Sequence, residues 1–236
     1  MRMVTRILPL AALALGLGAA QLPAQQPGNT TFQWYIGGQG GIMDFGTVIQ
    51  GRSQAPVGGV HLLVTAKRTG LLITAEQMFG SNEQAAYTSA IMDTSGLVSV
   101  NSVPANFDYL RKYTATLVAF PIKGPLTPFF GIGVGFMHAG GYDTPDEVAA
   151  KFLGSSGFGT LIGGLNFKVS RFSAFGQYQI TTGPATQFDS YNFVDNGNTY
   201  TVVNSGNVFT GPTHTLTAGL RFGLGNARER PSGGGY

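Results

Sequence analysis

Residues Thr213–Leu224 alternate between apolar and polar or small side chains along one stretch near the end of the chain. The even-numbered residues from Leu216 to Leu224 are apolar, and the odd-numbered residues from Thr213 to Arg221 are small or polar. A period of two indicates a β-strand whose two faces meet different surroundings. Because a free edge on such a strand invites aggregation, we expect this strand to close a sheet on itself.

Seven segments upstream show the same alternation, and the connections between the segments are alternately short and long. Short turns on one side, long loops on the other and an even number of strands are typical of a transmembrane β-barrel. We therefore predict an all-β fold, an eight-stranded antiparallel up-and-down transmembrane barrel with short periplasmic turns and long extracellular loops. The predicted strands are Phe32–Met43, Val57–Arg68, Gly70–Phe79, Asn106–Phe120, Pro128–His138, Gly157–Val169, Phe172–Thr182 and Thr213–Leu224, and the predicted long loops are Asp44–Pro56, Gly80–Ala105, Ala139–Ser156 and Gly183–Pro212.

The first 24 residues have the pattern of a secretory signal peptide. Arg2 and Arg6 precede the apolar run Ile7–Leu17, and small residues follow, so that cleavage is expected after Ala20 or Ala24. The alternative, a membrane-anchoring helix, is disfavoured because the run falls short of the roughly 18 residues that span a bilayer. We assign residues 1–24 to the signal peptide, 25–224 to the barrel and 225–236 to a disordered periplasmic tail.

Composition limits the remaining classes of protein. The chain has no cysteine, so an exported form must be stable without disulfides. No second apolar run reaches the length of a membrane helix, and in lipid only helices and closed barrels satisfy every backbone polar group. The formal charge of +3 hides a division in which the long loops are acidic and the short turns and tail are basic. No stripe of basic and aromatic residues predicts nucleic-acid binding.

Three stretches carry a resemblance to a known family: WYIGGQGGIMDFG (Trp34–Gly46), TPFFGIGVGF (Thr127–Phe136) and LTAGLRFGL (Leu216–Leu224). With them the chain resembles the small eight-stranded bacterial outer-membrane barrels of the OmpA-transmembrane-domain and OmpX-like group. The resemblance implies a location in the cell outer membrane, contact with its lipid and lipopolysaccharide, and assembly by the barrel-assembly machinery. In this family the last strand commonly ends the protein on an aromatic residue, whereas here 14 residues follow Phe222.

The polar faces of the predicted strands form the expected barrel interior. An eight-stranded barrel is about wide enough for its own side chains, which leaves either a packed polar core or a narrow polar pore. We predict that Glu76 pairs with Lys112 or Arg221, because a lone carboxylate inside would be costly to desolvate. The predicted inward set is Tyr35, Gln39, Thr65, Lys67, Glu76, Lys112, Thr114, Asn166, Lys168, Gln177, Gln179, Thr217 and Arg221.

The apolar faces are expected to meet lipid, with aromatic girdles at the two membrane boundaries. Arg111 falls on this outward face near the long-loop end, where it is expected to bind a lipid phosphate or to extend its head group into water without a specific partner. The girdle candidates are Trp34, Phe79, Tyr113, Phe130, Phe136, Phe167, Phe172, Tyr178 and Phe222.

The sequence gives little support for catalysis or for a metal site. A serine hydrolase needs a serine, a histidine and a carboxylate within reach of one another. His138 lies near Asp143, but neither it nor His214 has a serine two residues away, no Gly-x-Ser-x-Gly motif occurs, and the acidic loops do not match a calcium-binding loop. We predict no enzymatic activity, no metal and no cofactor.

The loops Gly80–Ala105 and Gly183–Pro212 are rich in Ser, Asn, Thr and Tyr, which suits adaptable contact surfaces. The leading functional prediction is a non-enzymatic protein that stabilises the envelope or makes adhesin-like contacts with extracellular ligands through these loops. The alternatives are a small porin, a lipid A-modifying enzyme, and a soluble barrel of lipocalin type with its apolar face inside.

Overall fold

The computed structural model describes residues 31–47, 51–122, 124–140, 155–169, 171–183, 187–207 and 209–228. The predicted signal peptide and residues 229–236 of the predicted tail lie outside these ranges. In this part of the chain no helix is long and apolar enough to cross a membrane. The strands are β1 (Thr31–Gly46), β2 (Arg52–Ala66), β3 (Thr69–Asp93), β4 (Gly96–Ala119), β5 (Leu126–Gly140), β6 (Ser155–Val169), β7 (Phe172–Thr181), β8 (Gln187–Asp195), β9 (Asn198–Asn207) and β10 (Thr213–Arg228).

Eight of these strands form a closed antiparallel barrel. Their order is β2-β1-β10-β7-β6-β5-β4-β3, and β2 also pairs with β3, which completes the ring. The last strand, β10, pairs with β1 on one side and with β7 on the other. The predicted eight-stranded antiparallel barrel and its closure by the final strand are therefore confirmed.

The two faces of the closing strand, β10, differ in the sense that the sequence predicts. On β10, Leu216 and Leu220 are 63% and 64% exposed on the outer face, while Thr215 and Arg221 are only 1% and 2% exposed on the inner face. Apolar side chains outside and polar side chains inside are the reverse of a soluble barrel. This is the arrangement of a barrel that spans a membrane, and it excludes the lipocalin alternative.

The prediction that Gly80–Ala105 is a loop is wrong, because β3 and β4 continue as one long hairpin through this region. The hairpin turns at Thr94 and Ser95. The Asp93 carboxylate accepts hydrogen bonds from Ser95 Oγ at 2.5 Å, from Ser95 N at 2.7 Å and from Gly96 N at 3.0 Å. These hydrogen bonds, above all the one from the Ser95 hydroxyl, lower the pKa of the Asp93 carboxyl. Such an Asp-centred turn lets two strands of modest hydrophobicity form a hairpin.

The region predicted as the long loop Gly183–Pro212 contains a second hairpin, β8–β9. Its turn is Asn196–Gly197, with φ of 49° and 80°, and this dipeptide favours the tight turns of hairpins because both residues tolerate positive φ. Strand β9 pairs with residues 86–92 of β3. The outer parts of β4 and β3 together with β9 and β8 thus form a four-stranded sheet, here called the projecting sheet, which continues the barrel wall beyond its long-loop end.

Several other boundaries also differ from the sequence prediction. The loop predicted at Asp44–Pro56 is shorter, because β1 runs to Gly46 and β2 begins at Arg52. The barrel was predicted to end at residue 224, but β10 continues to Arg228, which pairs with Thr31 of β1. Most of the predicted loop Ala139–Ser156 lies outside the described residues.

Inward glycines of β5 allow close packing against the neighbouring strand. A Cβ on Gly133 would lie 2.3 Å from the Ala115 carbonyl oxygen and 2.7 Å from Thr116 Cα, so backbone would have to move. A Cβ on Gly163, on the outer face of β6, would meet nothing within 4 Å. Position 133 therefore requires glycine, whereas position 163 does not.

We expect Gly133→Ala to lower the free energy of unfolding by about 1–3 kcal/mol, the usual cost of overpacking. The matched variant Gly163→Ala is expected to leave it unchanged or slightly raised. Urea unfolding in lipid vesicles, followed by the gel mobility of the folded barrel, measures both values. Equal stability of the two variants would contradict the close approach of β4 and β5.

Candidate functional site

Apolar side chains fill the barrel interior near the long-loop end. Phe45 and Phe209 are fully buried and meet edge to face, with ring centroids 5.2 Å apart. Sequence reasoning missed this filling, since it expected a polar interior throughout. We call the cluster the upper apolar plug; its members are Met43, Phe45, Ala55, Val57, Met78, Phe107, Leu110, Met137, Ala139, Phe158 and Phe209.

Below the plug, a buried ion pair joins the inner faces of the neighbouring strands β3 and β4, where Glu76 and Lys112 are directly paired in register. Glu76 Oε2 lies 3.0 Å from Lys112 Nζ, and the two side chains are 1% and 3% exposed. Gln39 Nε2 donates to Glu76 Oε1 at 2.6 Å, and Lys112 Nζ donates to Gln179 Oε1 at 3.0 Å and to Thr215 Oγ1 at 3.3 Å. Of the two partners that the sequence offers Glu76, the structure thus selects Lys112. Five strands contribute to this layer, so the network holds the barrel wall together across its width.

Arg221 is buried deeper toward the short turns, without a carboxylate in contact among the described residues. Its Nε donates to His61 Nε2 at 3.1 Å, and its Nη1 donates to Asn166 Oδ1 at 3.3 Å. The guanidinium carbon lies 3.8 Å from the centre of the Phe175 ring. Because His61 accepts through Nε2, its ring is neutral in this arrangement. Arg221 is therefore held by neutral partners and by a cation–π contact.

A second apolar group, the lower apolar cluster, surrounds Arg221. It consists of Tyr35, Leu63, Leu72, Val118, Phe129, Ile162 and Phe175. The interior is therefore layered: upper plug, ion-pair layer, then an apolar cluster that holds one arginine. The expectation of a hydrophilic interior from end to end is wrong, because apolar side chains interrupt the polar groups at both ends.

The other predicted lumen residues occupy two places. Gln177 and Gln179 are buried in the interior, and Gln179 Nε2 also donates to Thr160 Oγ1 at 2.8 Å. Lys168 lies at the short-turn mouth, where its Nζ donates to Tyr35 OH at 3.0 Å. Lys168 and Tyr35, both of which the sequence assigns to the lumen, thus meet at the mouth and not in the ion-pair layer.

All nine predicted girdle residues lie exposed on the outer face, between 37% and 61%. The strand register divides them into two groups. One group lies close to the short turns, where Phe172 and Phe222 meet with ring centroids 5.2 Å apart. The other lies farther along the strands, where Tyr113 stacks on Phe136 at 4.9 Å. The first group is Trp34, Phe130, Phe167, Phe172 and Phe222, and the second is Phe79, Tyr113, Phe136 and Tyr178.

The projecting sheet exposes apolar side chains outside the barrel wall. Val98 and Val100 of β4 are 54% and 57% exposed, and Tyr191 and Val194 of β8 are 55% and 68% exposed. Strand β8 pairs only with β9 among the described strands, so its other edge is open. The sheet therefore presents exposed apolar side chains on both of its outer strands, β4 and β8, and unpaired backbone groups along β8.

Comparison with solved structures finds the same architecture. Neisserial surface protein A matches with 11% sequence identity and a TM-score of 0.52, over 80% of this chain and 96% of that chain. The chain has the fold of a small outer-membrane β-barrel. OprG from Pseudomonas aeruginosa (13% identity, 83% of this chain and 96% of that chain, TM-score 0.40) and Ail of Yersinia pestis (14%, 83% and 100%, TM-score 0.34) also match, with lower structural similarity. No protein-family model and no curated protein matches the sequence.

Arg111 lies on the outer face of this small outer-membrane barrel, as its strand parity predicts. Its Nε donates to Gln77 Oε1 at 3.1 Å, and its guanidinium carbon is 4.8 Å from the centre of the Tyr109 ring. Gln77, which breaks the apolar pattern of β3, thus has a partner on the neighbouring strand. Contact of Arg111 with a lipid phosphate stays a prediction.

The three histidines occupy different surroundings in the barrel. His61 lies inside beside Arg221, and His214 Nδ1 lies 2.5 Å from the hydroxyl of Tyr178 on the outside. His138 Nδ1 lies 2.9 Å from Ser155 Oγ, a pair that sequence spacing misses because the β5–β6 register creates it. No carboxylate of the described residues contacts His138, and none of the described His, Asp and Glu side chains form a group of three that could hold a metal ion.

The ion-pair layer leads to a double-mutant test. Lys112→Met leaves the Glu76 carboxylate buried without its cation, and we expect it to lower the free energy of unfolding by about 3–5 kcal/mol. The double variant Glu76→Gln/Lys112→Met is expected to be more stable than Lys112→Met alone, since no unpaired charge remains. Urea unfolding in vesicles of neutral lipid provides the measurement.

Lys168→Met is the control for this test, because it removes an exposed lysine at the mouth, where a loss below about 1 kcal/mol is expected. If Glu76→Gln and Lys112→Met have additive effects on the free energy of unfolding, this would contradict the coupling of Glu76 and Lys112.

Proposed function

We propose that this chain is a non-enzymatic outer-membrane protein that does not conduct solutes and that contacts extracellular protein partners through the projecting sheet. The observation that carries the proposal is the free β8 edge, held beyond the barrel by pairing with β9 and β3. Contact with lipid and lipopolysaccharide and assembly by the barrel-assembly machinery belong to the same proposal.

The orientation follows from the two ends of the barrel. Exposed Lys67, Arg68 and Arg171 lie at the short turns, whereas exposed Asp108 and Asp195 lie at the far end. In outer-membrane barrels the short turns face the periplasm and the long connections face outward. We therefore propose that the projecting sheet lies on the cell surface.

The layered interior argues against conduction. A porin needs a continuous aqueous path, and barrels that conduct freely have many more strands. Here Phe45, Phe107 and Phe209 are fully buried in the upper apolar plug. Below the plug, Lys112 Nζ reaches from β4 to β7, where it donates to Gln179 Oε1 at 3.0 Å. The interior therefore supports a structural role.

The projecting sheet supports a protein partner rather than a glycan. An open strand edge offers a row of backbone donors and acceptors, which an extended segment of another chain satisfies by strand addition. The exposed Tyr191 and Val194 side chains on β8 add apolar contact on its two faces. Asp195 ends β8 and Asp93 ends β3 of the neighbouring hairpin. Because both side chains are acidic, the partner segment is expected to be neutral or basic.

Planar-bilayer recording tests the closed interior. Purified protein refolded and inserted into a neutral bilayer is expected to give no unitary current above the leak of the bilayer, because apolar layers close both ends of the lumen. A matched recording of a larger porin under the same conditions shows that insertion is detected. Reproducible conductance steps would contradict the proposal and favour the small-porin alternative.

Edge blocking tests the contact surface. Val194→Lys places a charge on the open β8 edge, and charged residues at edges oppose strand addition. Bacteria that display this variant are expected to adhere several-fold less to protein-coated surfaces than bacteria that display the wild type.

Thr94→Lys is the matched control for edge blocking, because it adds the same charge at the exposed turn of the neighbouring hairpin. It is expected to keep wild-type adhesion. Equal adhesion of wild type and Val194→Lys, or stronger adhesion to polysaccharide than to protein coatings, would contradict a strand-adding protein partner.

A further inference from the structure

A cavity opens at the short-turn mouth of the barrel, at the end opposite the projecting sheet. Its volume is about 420 Å³, which lies in the range of small-molecule sites. We call it the mouth cavity. Residues of the first, second, fifth, sixth, seventh and tenth strands, of the β2–β3 turn and of the β4–β5 connection line it, so the closed barrel itself builds the site. Lining side chains that matter for its chemistry are Lys67, Lys168, Arg221, Asn166, Tyr35 and Phe120.

The mouth cavity has three cations and no anion among the described residues that line it. Lys67, Lys168 and Arg221 contribute the positive charges. Arg221 is only 2% exposed, and burial of an unpaired charge is costly. The central ion pair shows the alternative, since Lys112 is buried in contact with a carboxylate. The mouth cavity therefore has unbalanced positive charge that an anion from outside would compensate.

The positive groups are held in place by neutral side chains. Lys168 Nζ donates to Tyr35 OH at 3.0 Å, and Tyr35 OH donates to Gln33 Oε1 at 2.6 Å. The Arg221 contacts use Nε and Nη1, and Nη2 makes no hydrogen bond to the described residues. Donors fixed in advance reduce the entropy that binding would cost.

The cavity wall is also partly apolar. Leu63, Phe120 and Ile122 line it together with the Tyr35 ring. A small inorganic anion would meet the cations but leave this surface in contact with water. An anion that carries an apolar group would cover both, and burial of its methylene groups adds to the binding free energy.

We propose that the mouth cavity binds a small phosphomonoester-type anion that carries an apolar group. A phosphomonoester matches the site because its two negative charges and several acceptor oxygens can meet a guanidinium and two ammonium groups together. The ligand comes either from solution or from the head group of an anionic lipid at the same membrane face. This inference goes beyond the proposed surface contacts and is independent of them.

Isothermal titration of the folded protein in a non-ionic detergent tests the site with hexyl phosphate as the probe. We expect saturable binding of one molecule per barrel, at least tenfold tighter than that of inorganic phosphate and weakened by salt. Hexanol, which shares the apolar group but lacks the charge, is expected to show no saturable binding. Absence of saturable hexyl phosphate binding, or equal binding of hexanol, would overturn the proposal.

Two pairs of variants locate the binding. Lys168→Gln and Lys67→Asn remove lining cations, and asparagine tolerates the positive φ of 54° at position 67. Each is expected to weaken hexyl phosphate binding about fivefold to twentyfold, the equivalent of roughly one charge-assisted contact. Arg171→Gln and Arg68→Gln remove cations from the same end outside the cavity lining and are expected to change binding less than twofold. Equal losses in both pairs would show attraction by net charge alone and would overturn the site.

Vesicles distinguish the two sources of the anion. The protein is refolded in neutral vesicles with and without phosphatidic acid, and hexyl phosphate is titrated into both. If phosphatidic acid competes with hexyl phosphate for the wild type but not for Lys168→Gln, the result supports the site and assigns it to a lipid head group. Undiminished hexyl phosphate binding beside the lipid supports the site and assigns it to a soluble ligand.

Discussion

The structure depends on one constraint: in hydrocarbon every backbone donor and acceptor must find its partner within the protein. A sheet meets this constraint only when its first and last strands join. Here β10 pairs with β1, and β2 pairs with β3, so that no strand of the barrel has an open edge. Closure fixes the inner and outer faces of every strand and so determines where lipid, plug, ion pair and mouth cavity lie.

The projecting sheet shows where this constraint ends. Beyond the barrel, β8 and the outer part of β4 have no further partner among the described strands, and water can solvate such free edges but lipid cannot. The same polypeptide therefore has a closed surface within the membrane and an open one outside it. This difference in solvent explains why binding through strand edges is possible only at the long-loop end.

Sequence reasoning predicted the barrel and its faces where one face of a strand is polar, as in Thr213–Leu224. It failed where both faces of a strand are apolar, because apolar and polar side chains then no longer alternate along the sequence. Leu71 and Leu72 are adjacent and look alike in sequence, yet Leu71 is 38% exposed outside while Leu72 is 2% exposed in the lower apolar cluster. The apolar layers of the interior were missed for this reason. The β8–β9 hairpin was missed although Asn196–Gly197 signals a tight turn. Its strands are polar and show little contrast between their two faces, and such a pattern resembles that of a loop.

The central claim is that apolar side chains of the barrel face lipid and polar ones face the interior. Because the chain has no cysteine, single cysteines introduced on β10 test this claim most directly. Single cysteines at Leu216, Thr217, Leu220 and Thr215 of β10 are spin-labelled in vesicles, and collision with oxygen and with a water-soluble nickel chelate is measured by electron paramagnetic resonance. The account predicts high oxygen accessibility at positions 216 and 220 and low accessibility to both reagents at positions 215 and 217. High oxygen accessibility at 215 and 217 with protection at 216 and 220 would contradict it.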